Sequence, residues 1–286
     1  MVQLHLGVLL LGVSGIFAKL IHLPALDIIA YRSVFTAVAL GAFLVYSKQT
    51  LKLRSKRDYV VAVVLGVLAA VHWWTYFLSI QKTSVAIGML SLFTYPVMIV
   101  LLEPLVRRSL PKLSDIGISL VVLFGISLLF PNLWQTDVEL SPDFTFGVVI
   151  GLFSALCFAL RNIGIQHYFK GYSGTQNMFY QFGIAALLFI PFADTQFIEL
   201  DLRTIELLVL FAIFFSAMAH VLFSNAIGTT GAKTAGLVAC LQPLYGIVLS
   251  LIILAEVPSW TTLVGGSIIL AAAIYETTYA GRKTDK

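Results

Sequence analysis

The sequence predicts an all-α polytopic membrane protein, with ten transmembrane helices arranged as two inverted five-helix repeats. Three observations carry that prediction. The first is composition. Of 286 residues, 59% are hydrophobic and only 11% are charged, with a mean hydropathy of +0.95. Counted with Gly and without Tyr, the apolar share is about 62%, against about 45–50% in ordinary soluble domains. Too little polar surface remains to cover a water-soluble globule, which excludes a soluble enzyme and a nucleic-acid binder. The second observation is a series of ten continuous apolar runs, and the third is a repeat within them.

A helix crosses a bilayer core of about 30 Å with about 20 apolar residues, at a rise of about 1.5 Å each. The runs are read in order. Gln3–Ile21 comes first and stops before Pro24, and Asp27–Tyr46 follows it. The first run lacks a basic leader and a small-residue cleavage site, so it reads as a retained helix and not a signal peptide. Tyr59–Ile80 and Ser84–Leu102 are the third and fourth. Pro111 and Pro131 bracket the fifth, Leu113–Phe130, and Ser141-Pro142 precede the sixth, Phe146–Gln166. Gly171 precedes Thr175–Phe192, Ile205–Ala226 follows, Gly231 precedes Lys233–Leu254, and Pro258 precedes Trp260–Ala280. Continuous runs, not alternating ones, exclude a β-barrel. Cys157 and Cys240 both lie inside apolar runs, so neither a disulfide framework nor a cysteine metal site is expected.

Ten spans place both termini on one side, and basic residues say which. One set of loops holds Lys48, Lys52, Arg54, Lys56, Arg57, Arg107, Arg108, Lys112, Lys170, Lys233, Arg282, Lys283 and Lys286, which is 13 of 18. The opposite set holds only Lys19, Lys82 and Arg203, along with most of the loop acids, Asp137, Glu139, Asp143, Asp194, Glu199, Asp201 and Glu206. Both termini are therefore expected in the cytoplasm, in the inner membrane of the cell.

The repeat appears at an offset of 147 residues: Ile80, Thr83, Pro96 and Pro111 lie over Ile227, Thr230, Pro243 and Pro258. Pro96 and Pro243 each sit inside a span, where proline is costly. At an offset of 140, Gly7-Val8 and Ser14 lie over Gly147-Val148 and Ser154. The division is a first repeat at 1–131, an extracytoplasmic linker at 132–145, a second repeat at 146–280 and a cytoplasmic tail at 281–286. Five spans per repeat is odd, so the second half enters the membrane from the opposite side, a pattern of secondary transporters.

At this point the chain resembles the drug/metabolite transporter superfamily, with two EamA-type domains. The residues that carry the resemblance are Ala86–Pro96 followed by Ser109-Leu-Pro, Thr234–Pro243 followed by Glu256-Val-Pro, and Tyr31-Arg32 at the start of the second span. The first half departs from the pattern, because Ser109 stands where Glu256 stands in the second. The resemblance implies export or exchange of small metabolites, amino acids among them.

Polar groups inside spans mark candidate pathways, because charge at the bilayer centre is costly. Arg32 is either an interfacial arginine associated with Asp27 or a cavity cation that meets a substrate carboxylate. Arg161, on the face of Ser154 and Phe158, is a helix-end anchor or a substrate contact. His72 and His220 fall one residue out of the 147 register, on the third and eighth helices, each near serines or tyrosine at helical spacing. The run His72-Trp73-Trp74-Thr75-Tyr76-Phe77 lies away from the interfaces where Trp and Tyr usually collect. Tyr95 and Gln242 immediately precede the in-span prolines, whose rings free the carbonyls of Leu92 and Ala239, and Tyr245 lies a turn further on. Asn177, Tyr180 and Gln181 add hydrogen-bonding groups on the seventh helix. The predicted cavity therefore comprises His72, Trp73, Tyr76, Tyr95, His220, Gln242, Tyr245 and Arg32, between helices kinked at Pro96 and Pro243. The spacing Gly147-Val-Val-Ile-Gly151 reads as helix packing.

The expected function is a secondary transporter of small metabolites such as amino acids, working by alternating access as a monomer or weak homodimer. Its partners are a small-molecule substrate and the lipid bilayer, with no nucleic acid, cofactor or metal. Aromatic faces are expected to attract an amino group, and Arg32 or a histidine a carboxylate. The alternatives are an intramembrane lipid-modifying enzyme, whose clustered aspartates are missing, and a lipid or drug translocator. No phosphate-binding loop suggests ATP drive. With no acid at mid-span and only His72 and His220 titratable at depth, facilitated diffusion is the expected energetics.

Overall fold

A computed structural model gives the structure of the chain and describes residues 2–106, 108, 110, 113–129, 141–169, 171–230 and 238–283. Several sequence-based assignments lie outside the described residues: Arg107, Ser109, Pro111, Lys112, Pro131, the linker at 132–140 with Trp134, Asp137 and Glu139, Lys170, Gly231, Lys233, Thr234 and Lys286.

The described residues form helices joined by turns and short loops. We label them α1 (Val2–Leu20), α2 (Ala25–Tyr46), α3 (Lys56–Lys82), α4 (Val85–Val106), α5 (Leu113–Ser127), α6 (Pro142–Tyr168) and α7 (Gly174–Phe189). Next come α8, built of Leu202–Leu210, Phe211–Met218 and Ala219–Thr230, then α9 (Gln242–Leu254) and α10 (Trp260–Lys283). Six of these, α1 to α4, α6 and α8, have the length and apolar character to cross a membrane.

Caps explain why several helices begin earlier than the apolar runs. Ser55 accepts a hydrogen bond from the Asp58 N–H at 3.2 Å and so draws the charged turn Lys56–Asp58 into α3. Ser84 caps α4 through the Ile87 N–H, and Ser141, followed by Pro142 in the first turn, caps α6. Ser173 caps α7, and Asp201 caps α8.

The in-span prolines act at equivalent places. The backbone of α4 is interrupted by a turn at Phe93-Thr94, and a turn at Cys240-Leu241 precedes α9. Both turns end one residue before Tyr95-Pro96 and Gln242-Pro243. The Thr94 hydroxyl closes its turn by donating to the Ser91 carbonyl at 2.8 Å. In α8 the segment Phe211–Met218 is π-helical, a wider winding that is rare and recurs at functional sites. There the Thr36 hydroxyl of α2 donates to the Ala212 carbonyl at 3.3 Å.

The molecule has an apolar core but, unlike a soluble protein, also an apolar outer surface and several buried polar groups. Val38, Val63, Leu120, Phe124, Val149, Leu187 and Ile252 face outward. Arg32, Thr36, His72, Ser79, Ser91, Ser154, Arg161, Asn177, Gln181 and Ser216 are buried. That distribution suits a protein whose solvent is lipid, where polar groups collect inside the bundle. Close approach of α6 to α3 and α4 depends on the predicted small-residue spacing. A Cβ on Gly151 would lie 2.6 Å from Ser79 Oγ and 2.9 Å from Ser91 Cβ. One on Gly147 would lie 2.6 Å from Thr83 Cγ2.

Candidate substrate cavity

A cavity of about 370 Å³ lies inside the bundle, within the range of small-molecule sites. Seven predicted residues line it: Arg32, His72, Trp73, Tyr76, Tyr95, His220 and Gln242. Leu92 and Ala239, the two residues whose carbonyls the prolines release, also border it. Pro96 and Pro243 are buried just behind Tyr95 and Gln242.

Tyr245 is not brought to this cavity. It lines a second, more open recess with Val2, His5, Leu6 and Leu9. Three residues leave Tyr245 only about 60° around the helix from Gln242, and packing against Leu4 and Val8 of α1 takes it away from the centre. It packs instead over the α1 backbone, where a Cβ on Gly12 would lie 3.1 Å from Tyr245 Cβ.

Arg32 enters from α2 and is 3% exposed. Its guanidinium lies over Trp73 at 4.8 Å, Phe211 at 4.9 Å, Phe182 at 5.1 Å and Phe77 at 5.7 Å. Nε and Nη2 have no hydrogen-bond partner. Asp27 does not serve Arg32. Its carboxylate accepts the N–H groups of Asp194 at 3.2 Å and Thr195 at 2.9 Å, and Tyr31 donates to the Thr195 carbonyl. The interfacial Asp27–Arg32 association is therefore replaced by a loop clamp on one side and an aromatic box on the other. The box also changes the expected use of the aromatic faces. Trp73 and Phe182 are stacked on each other at 4.2 Å and already meet a resident cation.

Arg161 enters from α6, is 6% exposed, and is held differently. Nε donates to Gln181 Oε1 at 2.5 Å, and Gln181 Nε2 donates to Asn177 Oδ1 at 2.6 Å. The remaining contacts are long, to Asn162 Oδ1 at 3.5 Å and Met178 Sδ at 3.6 Å, with the Phe158 ring at 5.3 Å. Among the described residues no Asp or Glu lines the cavity, so two guanidiniums face it without a carboxylate.

The histidines are oriented by their neighbours. Ser154 Oγ donates to the His72 carbonyl at 2.8 Å, so its one hydroxyl proton is committed. His72 Nδ1, also 2.8 Å from Ser154 Oγ, must then be the donor of that pair. His220 Nδ1 lies 2.7 Å from the Ser216 carbonyl, which can only accept. Both rings thus carry hydrogen on Nδ1, so Nε2 is the acceptor of each ring in its neutral form. Phe158 lies 4.6 Å from the His72 ring and 4.7 Å from Tyr95, which ties α6 to the predicted α3 and α4 residues.

The predicted residues that line the cavity come from α2, α3, α4, α8 and α9. The structure adds α1 through Leu11 and Ser14, α6 through Phe158, Arg161 and Asn162, and α7 through Asn177 and Met178. The 140 offset held a signal for this. It pairs Ser14, at the cavity, with Ser154, which holds His72, and Arg161 lies two turns beyond Ser154. Trp74, next to Trp73 in the aromatic run, is not in the cavity lining and meets Phe189 of α7 edge-on at 5.9 Å. No group of three or more His, Cys, Asp or Glu able to hold a metal occurs among the described residues.

Comparison with known proteins follows the same lines. The family described as EamA-like transporter family matches residues 1–130 and 145–277. An uncharacterized transporter of Archaeoglobus fulgidus is 23% identical over 275 residues, covering 94% of this chain and 93% of its own. The pseudopaline exporter CntI of Pseudomonas aeruginosa (strain UCBPP-PA14) is 23% identical over 256 residues, covering 88% of this chain and 86% of its own. A solved crystal structure aligns with 98% of this chain and 97% of its own at a TM-score of 0.64 and 15% identity, a likeness of fold.

Proposed function

The chain belongs to the EamA-like transporter family and is a membrane transporter, not an enzyme, and from that premise we propose that it exports small carboxylate-bearing metabolites such as amino acids. The observation that carries the reading is the convergence of seven predicted residues on one internal cavity, at the level of two proline-broken helices. A site of that size, lined by aromatic rings with a few convergent polar groups, suits a small solute. Two relatives, one named a transporter and the other an exporter, support the class and the direction.

In this proposal all ten helices cross the inner membrane as two inverted repeats, 1–131 and 146–280, joined by an extracytoplasmic linker at 132–145, with both termini cytoplasmic. Two similar halves of opposite orientation have two conformations of nearly equal energy, and cargo crosses as they rock about the Pro96 and Pro243 breaks. Ties at the extracytoplasmic end fit one of those states. Glu256 accepts the Val85 N–H at 2.9 Å and lies 3.8 Å from Lys19, which also donates to the Thr83 carbonyl at 3.1 Å. These contacts fasten the end of α1 and the α3–α4 turn to the α9–α10 turn, and they must part for release. The unit of transport is a monomer or weak homodimer, and the cargo's own gradient drives it.

Reconstituted vesicles loaded with amino acids, nucleosides or cationic drugs test the function: efflux is expected for carboxylate-bearing solutes. Robust efflux of a polycation, with no response to amino acids, overturns the substrate class. Orientation is tested with single cysteines at Lys52 and Glu199, both exposed. In intact cells an impermeant thiol reagent should label the second and spare the first, and reversed labelling overturns the topology.

A further inference from the structure

The unanswered charge in the cavity narrows the cargo. Arginine stays protonated in proteins, and a buried guanidinium is normally paired with a carboxylate or phosphate. Arg32 is 3% exposed, borders the cavity, and has two nitrogens without acceptors. The nearest acid on its helix, Asp27, is occupied by backbone N–H groups of Asp194 and Thr195. Arg161 borders the same cavity with one short hydrogen bond, to the neutral Gln181. His72 and His220, whatever their charge state, bring no negative charge. Rings stabilise Arg32 from the side by cation–π attraction, but they supply no oxygen for its forked donors.

We propose that the cavity is a binding site for organic oxyanions of net negative charge, with Arg32 as the primary receptor for the oxyanion group and Arg161 as the second positive charge. The cargo carries a carboxylate or phosphate that engages the Arg32 fork. Its flat or apolar body lies among Trp73, Tyr76 and Phe158. A zwitterion is served less well than a net anion. The cavity has no described acid for an ammonium group, and the rings nearest Arg32 already face a cation. This rests on the transporter reading and narrows its cargo from carboxylate-bearing metabolites in general to those of net negative charge.

The test is binding to purified protein in lipid nanodiscs, read by tryptophan fluorescence. Trp74, Trp134 and Trp260 are replaced by Phe so that Trp73 alone reports, because its ring lies 4.8 Å from the Arg32 guanidinium. Four probes share one ring: phenylacetate, phenyl phosphate, phenylacetamide and phenethylamine. At least one of the two oxyanions should bind tenfold or more tightly than the neutral amide, and the amine should bind weakest. The two oxyanion arms say whether a carboxylate or a phosphate is preferred. Arg32→Gln should abolish the difference between phenylacetate and phenylacetamide. Arg32→Lys, which keeps the charge and loses the fork, should retain the order with weaker oxyanion binding. Equal binding of amide and oxyanion, tighter binding of the amine, no oxyanion binding to folded protein, or discrimination that survives Arg32→Gln overturns the proposal. If Arg32→Gln does not fold, unchanged affinities in Arg32→Lys overturn it instead. Vesicle flux separates the two readings. Oxyanion binding without efflux refutes export and leaves the site, and efflux of neutral or cationic solutes with no oxyanion binding refutes the site and leaves transport.

Discussion

Arg32 and Arg161 are the same side chain, equally buried, at two places on the wall of one cavity, and they are held in opposite ways. Arg32 is surrounded by four rings and lacks acceptors for two nitrogens. Arg161 is fixed by Gln181, itself held by Asn177. The difference teaches that burial alone does not mark a working charge. A guanidinium with its own amide partner can be a strut, whereas one left without acceptors beside empty space is poised for an incoming oxyanion.

The largest expected effect breaks or keeps that asymmetry directly. Charge-assisted hydrogen bonds contribute about 1.5–3 kcal/mol, so Arg32→Gln should slow oxyanion efflux by roughly 10- to 150-fold in vesicles. Arg161→Gln should cost clearly less, because its guanidinium is already engaged. Equal losses would show that the two charges act as one site. The next effect concerns the charge of the cargo. Moving one negative charge outward down an inside-negative potential of 100 mV is worth about 2.3 kcal/mol, which is roughly 40- to 50-fold in the steady-state gradient. Valinomycin-set potentials should shift anion distribution by that factor per charge, and an imposed pH gradient alone should drive nothing. Accumulation driven by protons and lost in His72→Gln or His220→Gln would make those rings a relay.

A smaller effect probes the strut. Gln181→Leu leaves a buried charged donor unanswered, at a cost of about 1–3 kcal/mol in thermal stability. The same variant should loosen Arg161 enough to raise its share of oxyanion binding, narrowing its difference from Arg32. The smallest effect is a control at a residue that does not line the cavity. The Thr204 hydroxyl, and then its N–H, hold the Asp201 carboxyl below the usual carboxylate range. A depressed folded pKa contributes stability above the unfolded value and loses it as pH falls through the folded one. Wild type and Asp201→Asn should therefore differ slightly in melting temperature above about pH 5 and converge at lower pH, with no change in the Arg32-to-Arg161 ratio of effects.

Most of the cavity was legible because each of its sequence signals breaks a local rule. Proline at Pro96 and Pro243 is costly within a span, as are His72 and His220 at depth and Trp73 away from the interfaces. The partners of those residues were less legible. Phe158 and Asn162 on α6 carry no anomaly of their own, since an aromatic ring or an amide near a helix end is ordinary. Tyr245 was misplaced by a single helical step, because helical spacing says which residues neighbour one another but not which neighbour turns toward the centre. The π-helical stretch Phe211–Met218 left no mark in an apolar run, yet it brings Phe211 against Arg32 and Phe215 to the cavity.

Composition and local sterics set what the chain could not avoid. Its composition demands apolar helices in a membrane, and its in-span prolines follow breaks in the backbone at Phe93-Thr94 and Cys240-Leu241. These follow from composition and local sterics, which need no knowledge of neighbours. Only the tertiary structure decided which of two buried arginines has a partner. Asp27 is five residues from Arg32 in sequence but closes on the Asp194–Thr195 backbone, while Gln181 reaches Arg161 across 20 residues and two helices. Pairing of that kind is fixed by how helices cross, and the energy of a buried charge depends on which atoms that crossing brings within 3 Å or so of it.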